Sequence, residues 1–332
     1  MKHIRFTGKK IVIHHWDTDG VCSASILLRH LNKDNVTTMT PTIGNYFLTE
    51  KEIKQCEHYN HVFIVDMALP EETVRELAFY SEVTIFDHHL QKPMNEVNHV
   101  NPISQGEPQS EYPSATWVLK EYFKEEVTLP VVLGIVGDNE HRIKDNKRFS
   151  VIIREYCRKH SLSFDDLLKM VYLIDSNYKM QKKEEVEKLP YVLLNGDGAE
   201  LILGNREWQN NLRVLEEEIE RILSDETLLT EKNNVVVMNI NTPYNIISTV
   251  TRRFAWGARR NVVVVNKGFF DDKDQLYVRS NTINLTSLIK KVKSSGFHAG
   301  GKKDVMGIIL PKHETDATLD EIISFLTRRK TW

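Results

Sequence analysis

A chain of 332 residues exceeds the usual span of one hydrophobic core, so two domains are the natural expectation. With 41% apolar and 27% charged residues, the composition is that of an ordinary globular protein and excludes a fibre or a disordered chain. A formal net charge of −2 argues against a uniformly basic protein that grips long duplexes through many phosphates, while leaving room for a local basic groove. In chain order, residues 11–13 read as a strand with no charged-then-apolar leader before it. No later stretch approaches the roughly 18–20 apolar residues that cross a bilayer, so a cytoplasmic protein without membrane contact is expected. Strand-like runs at 62–65, 83–86 and 131–136 alternate with helical patterns such as 21–31 and 71–80, which predicts a parallel sheet covered on both faces. After about residue 180 the pattern turns into a connector: a charged helical stretch at 181–189, a turn at Asn195-Gly196-Asp197-Gly198 and a long charged helix at about 208–224. A second αβ pattern follows, with strands at 235–240, 262–266, 276–280 and 305–310 and helices near 246–255 and 285–294. The expected organisation is an α/β chain with a parallel-sheet catalytic domain at 1–180, a helical connector at 181–231 and a smaller αβ domain at 232–332.

Cys22, Cys56 and Cys157 are far apart and form no C-x-x-C pair, so neither a zinc finger nor a disulfide framework is legible. The chemistry lies elsewhere. Four first-domain runs end with an acidic residue just past the last apolar position: His14-His15-Trp16-Asp17-Thr18-Asp19-Gly20 after the first, Asp66 after Val65, Asp87-His88-His89 after Phe86, and Asp138 after Val136-Gly137. One such aspartate is an ordinary cap or turn residue. Four in series at the carboxyl ends of parallel strands would converge on one cleft. So many carboxylates cost several kcal/mol in repulsion and desolvation unless cations compensate, and a pair of divalent ions supplies that charge. Mixed carboxylate and imidazole donors suit Mn²⁺, with Mg²⁺ tolerated, whereas structural zinc favours thiolates.

These residues resemble the motifs of the DHH phosphoesterase superfamily, which includes RecJ-like nucleases, nanoRNA phosphatases and family II inorganic pyrophosphatases. The match runs through His-His-Trp-Asp17-Thr-Asp19-Gly20, Val65-Asp66, the name-giving Asp87-His88-His89, and Gly134-Ile-Val-Gly-Asp138. The resemblance implies metal ligation by Asp17, Asp19, Asp66, His88 and Asp138, with Asp66 bridging two ions, Asp87 in support and His89 facing the scissile phosphate. Many members place a histidine four residues before the first aspartate, where this chain has Ile13; His15 fits the H-x-D-x-D-G form of archaeal RecJ-like proteins and is the expected further ligand, with His14 as the alternative. Strand alternation allows only one of the two to face the metals.

In the second domain, Tyr277-Val-Arg279-Ser280-Asn281 and Gly296-Phe-His298-Ala-Gly300-Gly301 resemble the arginine-serine strand and glycine-rich loop of the DHH-associated C-terminal domain. Small residues there let backbone N–H groups approach phosphate, and an arginine can grip its oxygens. Family II pyrophosphatases carry a different second domain, so the resemblance narrows to nucleases and nanoRNA phosphatases and is nearest to the archaeal RecJ-like exonucleases. Arg252-Arg253-Phe254-Ala255-Trp256-Gly257-Ala258-Arg259-Arg260 offers guanidinium groups around an indole for backbone contacts and base stacking, or is simply a basic helix end. The tail at 328–332 reads as a frayed terminus, with a partner-binding tail as the alternative. The expected function is a two-metal exonuclease on single-stranded DNA or RNA that uses metal-activated water, with a replication or repair helicase as an expected partner. The rivals are a phosphatase for very short RNA, linear dinucleotides or 3′,5′-bisphosphate nucleotides, and a non-catalytic replication scaffold.

Overall fold

The computed structural model describes residues 8–31, 35–195, 198–258 and 260–327, and the chain divides into two units, Met1–Leu212 and Arg213–Trp332. Gly196 and Asp197 of the expected turn, Arg259 of the basic run and the tail at 328–332 lie outside the described residues.

The first unit is built on five strands, β1 (Lys10–His14), β2 (Val36–Met39), β3 (His61–Val65), β4 (Glu82–Phe86) and β5 (Asn98–Val100), all parallel in the order β2-β1-β3-β4-β5. Its helices are α1 (Thr18–His30), α2 (Glu50–Cys56), α3 (Glu71–Tyr80), α4 (Ala115–Phe123), α5 (Leu129–Asn139), α6 (Lys147–His160), α7 (Phe164–Lys179), α8 (Lys183–Val192) and α9 (Ala199–Leu203). The central strands read as unbroken apolar runs because both faces are covered. Ile11, Ile13, Ile64 and Ile85 pack on one face against Ile53 of α2 and Val74 and Leu77 of α3. On the other side α1 lies against β1 and β3 and is itself packed by α4 and α5.

One expected strand is a helix. Residues 131–136 lie within α5, entered through Pro130 in its first turn and buried on every side from Leu129 to Val136. A helix surrounded by protein has no polar face, so its sequence shows an apolar run indistinguishable from a buried strand.

The second unit is entered along α10 (Arg206–Ser224). It holds a six-stranded mixed sheet, β6 (Leu229–Lys232), β7 (Val235–Ile240), β8 (Asn261–Asn266), β9 (Lys273–Arg279), β10 (His298–Lys302) and β11 (Val305–Pro311), ordered β10-β11-β9-β8-β7-β6. The pair β7 and β8 is parallel and the remaining pairs are antiparallel. One face carries the core, where Val263, Leu276, Val278 and Ile308 meet Leu288 of α12 (Thr286–Ser294) and Ile322 of α13 (Thr315–Thr327). Helix α11 (Ile247–Ala258) packs against β8 and β9. The segment read as a glycine-rich loop is in the structure a strand: His298 to Gly301 belong to edge strand β10, paired with β11 alone. Among the described residues no helix is long and apolar enough to cross a membrane.

Candidate metal centre

Register sets this site. His14, Val65, Phe86 and Val100 stand in one cross-strand row, and the ladder continues one residue further. His15 N–H donates to the Val65 carbonyl at 3.3 Å, Asp66 N–H to Phe86 at 2.9 Å and Asp87 N–H to Val100 at 3.2 Å. His15, Asp66 and Asp87 therefore leave three adjacent strands at one level, on the edge where open parallel sheets hold ligands. Asp66 turns away with a φ of 59°. The left-handed region costs a non-glycine residue roughly 1–3 kcal/mol and persists where the surroundings enforce it, as they do at functional sites.

Helix α1 brings two more carboxylates. Asp17 caps it, accepting from Gly20 N–H at 3.1 Å. Asp19, in the first turn, is fully buried and accepts from the backbone N–H groups of Ala115 at 2.7 Å and Thr116 at 3.1 Å. Those donors are exposed at the N-terminus of α4, which starts there because Ser114 caps it through Trp117 N–H. Gly134 of α5 makes the approach feasible, since a Cβ at that position would stand 2.3 Å from Asp19 Oδ1 and 2.2 Å from Thr116 Oγ1. Asp138 then arrives from the last turn of α5, not from a strand end.

The histidines close the arrangement. His88 Nε2 lies 3.1 Å from Asp138, 3.4 Å from Asp66 and 3.8 Å from Asp19. His15 Nδ1 lies 2.8 Å from Asp17 and 3.9 Å from Asp66, whereas His14 is fully buried in the core. His89, nearly half exposed, is held through Nδ1 by Asp87 at 2.7 Å, and the second oxygen of Asp87 accepts from Gln91 Nε2 at 2.6 Å. Three overlapping groups result: His15, Asp17 and Asp66; Asp66, His88 and His89; Asp19, His88 and Asp138, with the donor atoms of each within 4.8 Å of one another.

Burial and neighbouring charge set the electrostatics of the cluster. Burial and then the charge of Asp138 push the Asp19 carboxyl up to about 7. Burial, followed by Asp19 and Asp17, carries Asp66 well above the usual carboxylate range. Burial opposes the charging of His88, but Asp138 and Asp66 outweigh it and raise its pKa well above the ordinary value. The same contest against burial is won by Asp17 at His15, which is raised, and by His15 at Asp17, which falls to about 2. His89 likewise overcomes burial and draws Asp87 down to about 2. His14, with burial dominant, falls to about 4. Asp66 Oδ1 and His88 Nε2 are buried without a hydrogen-bond partner inside the cluster. Orphaned polar atoms beside mutually repelling carboxylates fit divalent cations, and a donor set of oxygens and imidazoles without a thiolate is unlike that of a thiolate-rich structural zinc site.

The second unit presents its motif residues differently. Arg279 lies 3.7 Å from Asp304. Ser280 is buried, donates to Asn261 Oδ1 at 2.7 Å and accepts from Ile283 N–H at 2.9 Å, so its hydroxyl holds the turn after β9. Asn281 is exposed and Gly296 forms the turn before β10 with a φ of 86°. Gly301 has a φ of 149° and leaves no room for a Cβ, which would stand 2.1 Å from the Val305 carbonyl. Arg279 shares a cross-strand row with Val305 and Lys302, whereas His298 stands with Ile309 and Gln275, and Gly300 lies between those rows. Arg252 is half-buried on α11, and Arg253 is paired with Glu216 at 2.8 Å and Glu220 at 3.3 Å of α10.

Sequence reasoning missed Ser114-Ala115-Thr116, Gln91 and Asp175. The last accepts from Thr18 at the start of α1. An acidic residue inside the apolar run Met170-Val-Tyr-Leu-Ile-Asp175 was the available signal.

Comparison with known proteins bears on the same residues. Residues 9–145 match the model of the DHH family, N-terminal domain. The structure of RecJ in complex with Mn²⁺ from Thermus thermophilus superposes with a TM-score of 0.68 at 18% identity, covering 97% of this chain and 52% of that one. This chain thus spans about half the length of that protein. A structure of exonuclease RecJ bound to manganese gives a TM-score of 0.66 at 18% identity, covering 97% of this chain and 91% of that one. CDC45 from Entamoeba histolytica gives 0.51 at 11% identity, with 96% and 95% covered. At such identities the likeness is one of fold. No curated protein sequence matches the chain.

Proposed function

From the premise that this chain belongs to the DHH phosphoesterase superfamily, through its DHH-family N-terminal domain at residues 9–145, we propose that it is a phosphodiesterase that uses two divalent ions, Mn²⁺ by preference, to digest single-stranded DNA or RNA from an end. The observation that carries this reading is the set of three overlapping donor groups sharing Asp66 and His88 on one sheet edge. His15, Asp17 and Asp66 would hold one ion and Asp19, Asp66, His88 and Asp138 the other, with Asp66 common to both. Divalent ions, when bound, neutralise the carboxylates, polarise the phosphoryl group and acidify the attacking water.

The residues of the chain supply the rest. With Nδ1 engaged by Asp87, His89 keeps Nε2 for a phosphate oxygen or the leaving group. Gln91, donating to the other Asp87 oxygen, holds that carboxylate in the orientation His89 needs. Arg279 and His298 would engage phosphates of the bound strand, and the arginines of α11 would extend that contact along its backbone. Association with a replication or repair helicase belongs to the same reading and is supported by the family resemblance.

Purified protein with Mn²⁺ is expected to shorten end-labelled single-stranded oligonucleotides, and Asp138→Ala to leave them intact. Undiminished activity in that variant would refute the site. Stronger turnover of dinucleotides than of 20-mers would move the substrate class to very short oligonucleotides while keeping the metal centre.

A further inference from the structure

We propose that Asp175 is a positioning residue for the metal centre: it pins the first turn of α1 so that Asp17 and Asp19 face the cations. The inference rests on the metal reading given above. Asp175 lies on α7, remote in sequence from every motif, with a side chain only 14% exposed. Its Oδ1 accepts two hydrogen bonds from one residue, Thr18 N–H at 3.0 Å and Thr18 Oγ1 at 2.7 Å. Thr18 is itself buried, and its hydroxyl also approaches the Val171 carbonyl one turn earlier on α7, at 3.3 Å.

Thr18 is the residue between Asp17 and Asp19, so whatever fixes its backbone fixes the spacing of both carboxylates. Asp17 already uses its own side chain on Gly20 N–H and leaves the Thr18 N–H, one of the unpaired donors of a helix start, to be satisfied from outside. A carboxylate on a neighbouring helix satisfies it and adds a negative charge at the positive end of α1. From the opposite side α5 limits movement, since a Cβ on Gly137 would stand 3.2 Å from Thr18 Cβ. The residue is thus held between α7 and α5.

This placement has an electrostatic cost, because another carboxylate beside Asp17 adds to the repulsion in the cluster. Lys179, one turn further along α7 with its ammonium 3.9 Å away, offsets part of it. An aspartate in such a place, where a threonine or an apolar residue would pack without repulsion, has its counterpart in the two bonds it takes from Thr18. Ligand-orienting partners of this kind are worth about 10- to 100-fold in metal affinity.

The test is Mn²⁺ affinity by equilibrium dialysis, with no substrate present, for the full chain and three variants whose fold is checked by circular dichroism. Asp175→Ala is expected to weaken Mn²⁺ binding by about 10- to 100-fold. Asp175→Asn, whose amide oxygen can take both Thr18 bonds without the charge, is expected to restore affinity close to that of the unaltered chain. Thr18→Val, which keeps the backbone donor and loses the hydroxyl, should show a smaller loss and stands in should Asp175→Ala fail to fold. Unaltered affinity in Asp175→Ala or, where that variant does not fold, in Thr18→Val overturns the assignment. Equal loss in Asp175→Ala and Asp175→Asn also overturns it, because charge and not the Thr18 contact would then matter. An unaltered chain that binds no Mn²⁺ removes the metal centre itself and Asp175's role with it, whereas binding that ignores residue 175 removes only the latter.

Discussion

The two units treat their motif residues in opposite ways. In the first, parallel register delivers His15, Asp66 and Asp87 to one level of one edge, and α1 and α5 add Asp17, Asp19 and Asp138 to the same volume. In the second, Arg279 and His298 occupy rows four residues apart along β10, on the order of 13 Å at the usual strand rise. A parallel sheet gathers side chains at its carboxyl edge, while antiparallel pairing spreads them over the sheet, Arg279 on β9 and His298 on edge strand β10 with β11 between them. The first arrangement brings carboxylates and imidazoles within reach of one another; the second, under the function proposed above, would meet successive phosphates of an extended strand.

The sharpest way to break this contrast is to remove a residue that several donor groups share. Asp66→Ala is expected to abolish turnover, on the order of a thousandfold or more in kcat, and to lower Mn²⁺ occupancy in parallel. Retained occupancy would mean that the groups around Asp66 act independently. Arg279→Ala should behave differently. Loss of a charge-assisted phosphate contact is worth about 1.5–3 kcal/mol, so KM is expected to rise roughly 10- to 100-fold with kcat little altered. A fall in kcat with unchanged KM would place Arg279 among the groups that act only in the transition state.

A smaller effect concerns stability. Without metal, Asp19, Asp66, His15 and His88 all titrate above their ordinary values in the folded chain. The folded state therefore holds protons that the unfolded state has released, and this stability is present at low pH and lost as pH rises through about 7. Asp17 and Asp87, both lowered to about 2, act in the opposite sense only at much lower pH, whereas His14, lowered to about 4, opposes the trend up to its ordinary value and offsets part of it. Chelator-treated protein should show a Tm that falls between about pH 5 and about pH 8. Mn²⁺ at a hundredfold excess over Kd should restore about 2.7 kcal/mol, most usefully at the alkaline end. A metal-free Tm that rises over that interval would contradict the electrostatics of the site.

The same contrast explains what was legible beforehand. Strands β1, β3 and β4 and helices α1 and α3 announce themselves because their periodicity is unmixed and their ends carry charged residues. Strand β2, reading Val-Thr-Thr-Met, and strand β5, of three residues, offer too little pattern for assignment. Helix α5 misled for a different reason: complete burial erases the polar face by which a helix is known. Asp138, expected from its motif at a strand end, instead leaves the last turn of that helix and stands 3.1 Å from His88. The choice between His14 and His15 needed the continuation of the ladder past Val65, a tertiary fact. The apolar run around Asp175 marked it as unusual, but its partner, like those of the Ala115 and Thr116 donors, was out of reach because the contacts lie about a hundred or more positions away in sequence, 157 for Asp175 with Thr18 and 96 for Ala115 with Asp19.

Everything turns on whether these side chains gather cations, and a crystal grown with Mn²⁺ and measured at the manganese absorption edge answers that directly. Two anomalous peaks are expected, one among His15, Asp17 and Asp66 and the other among Asp19, Asp66, His88 and Asp138. Peaks absent from those positions, or present only elsewhere on the surface, would contradict the metal centre.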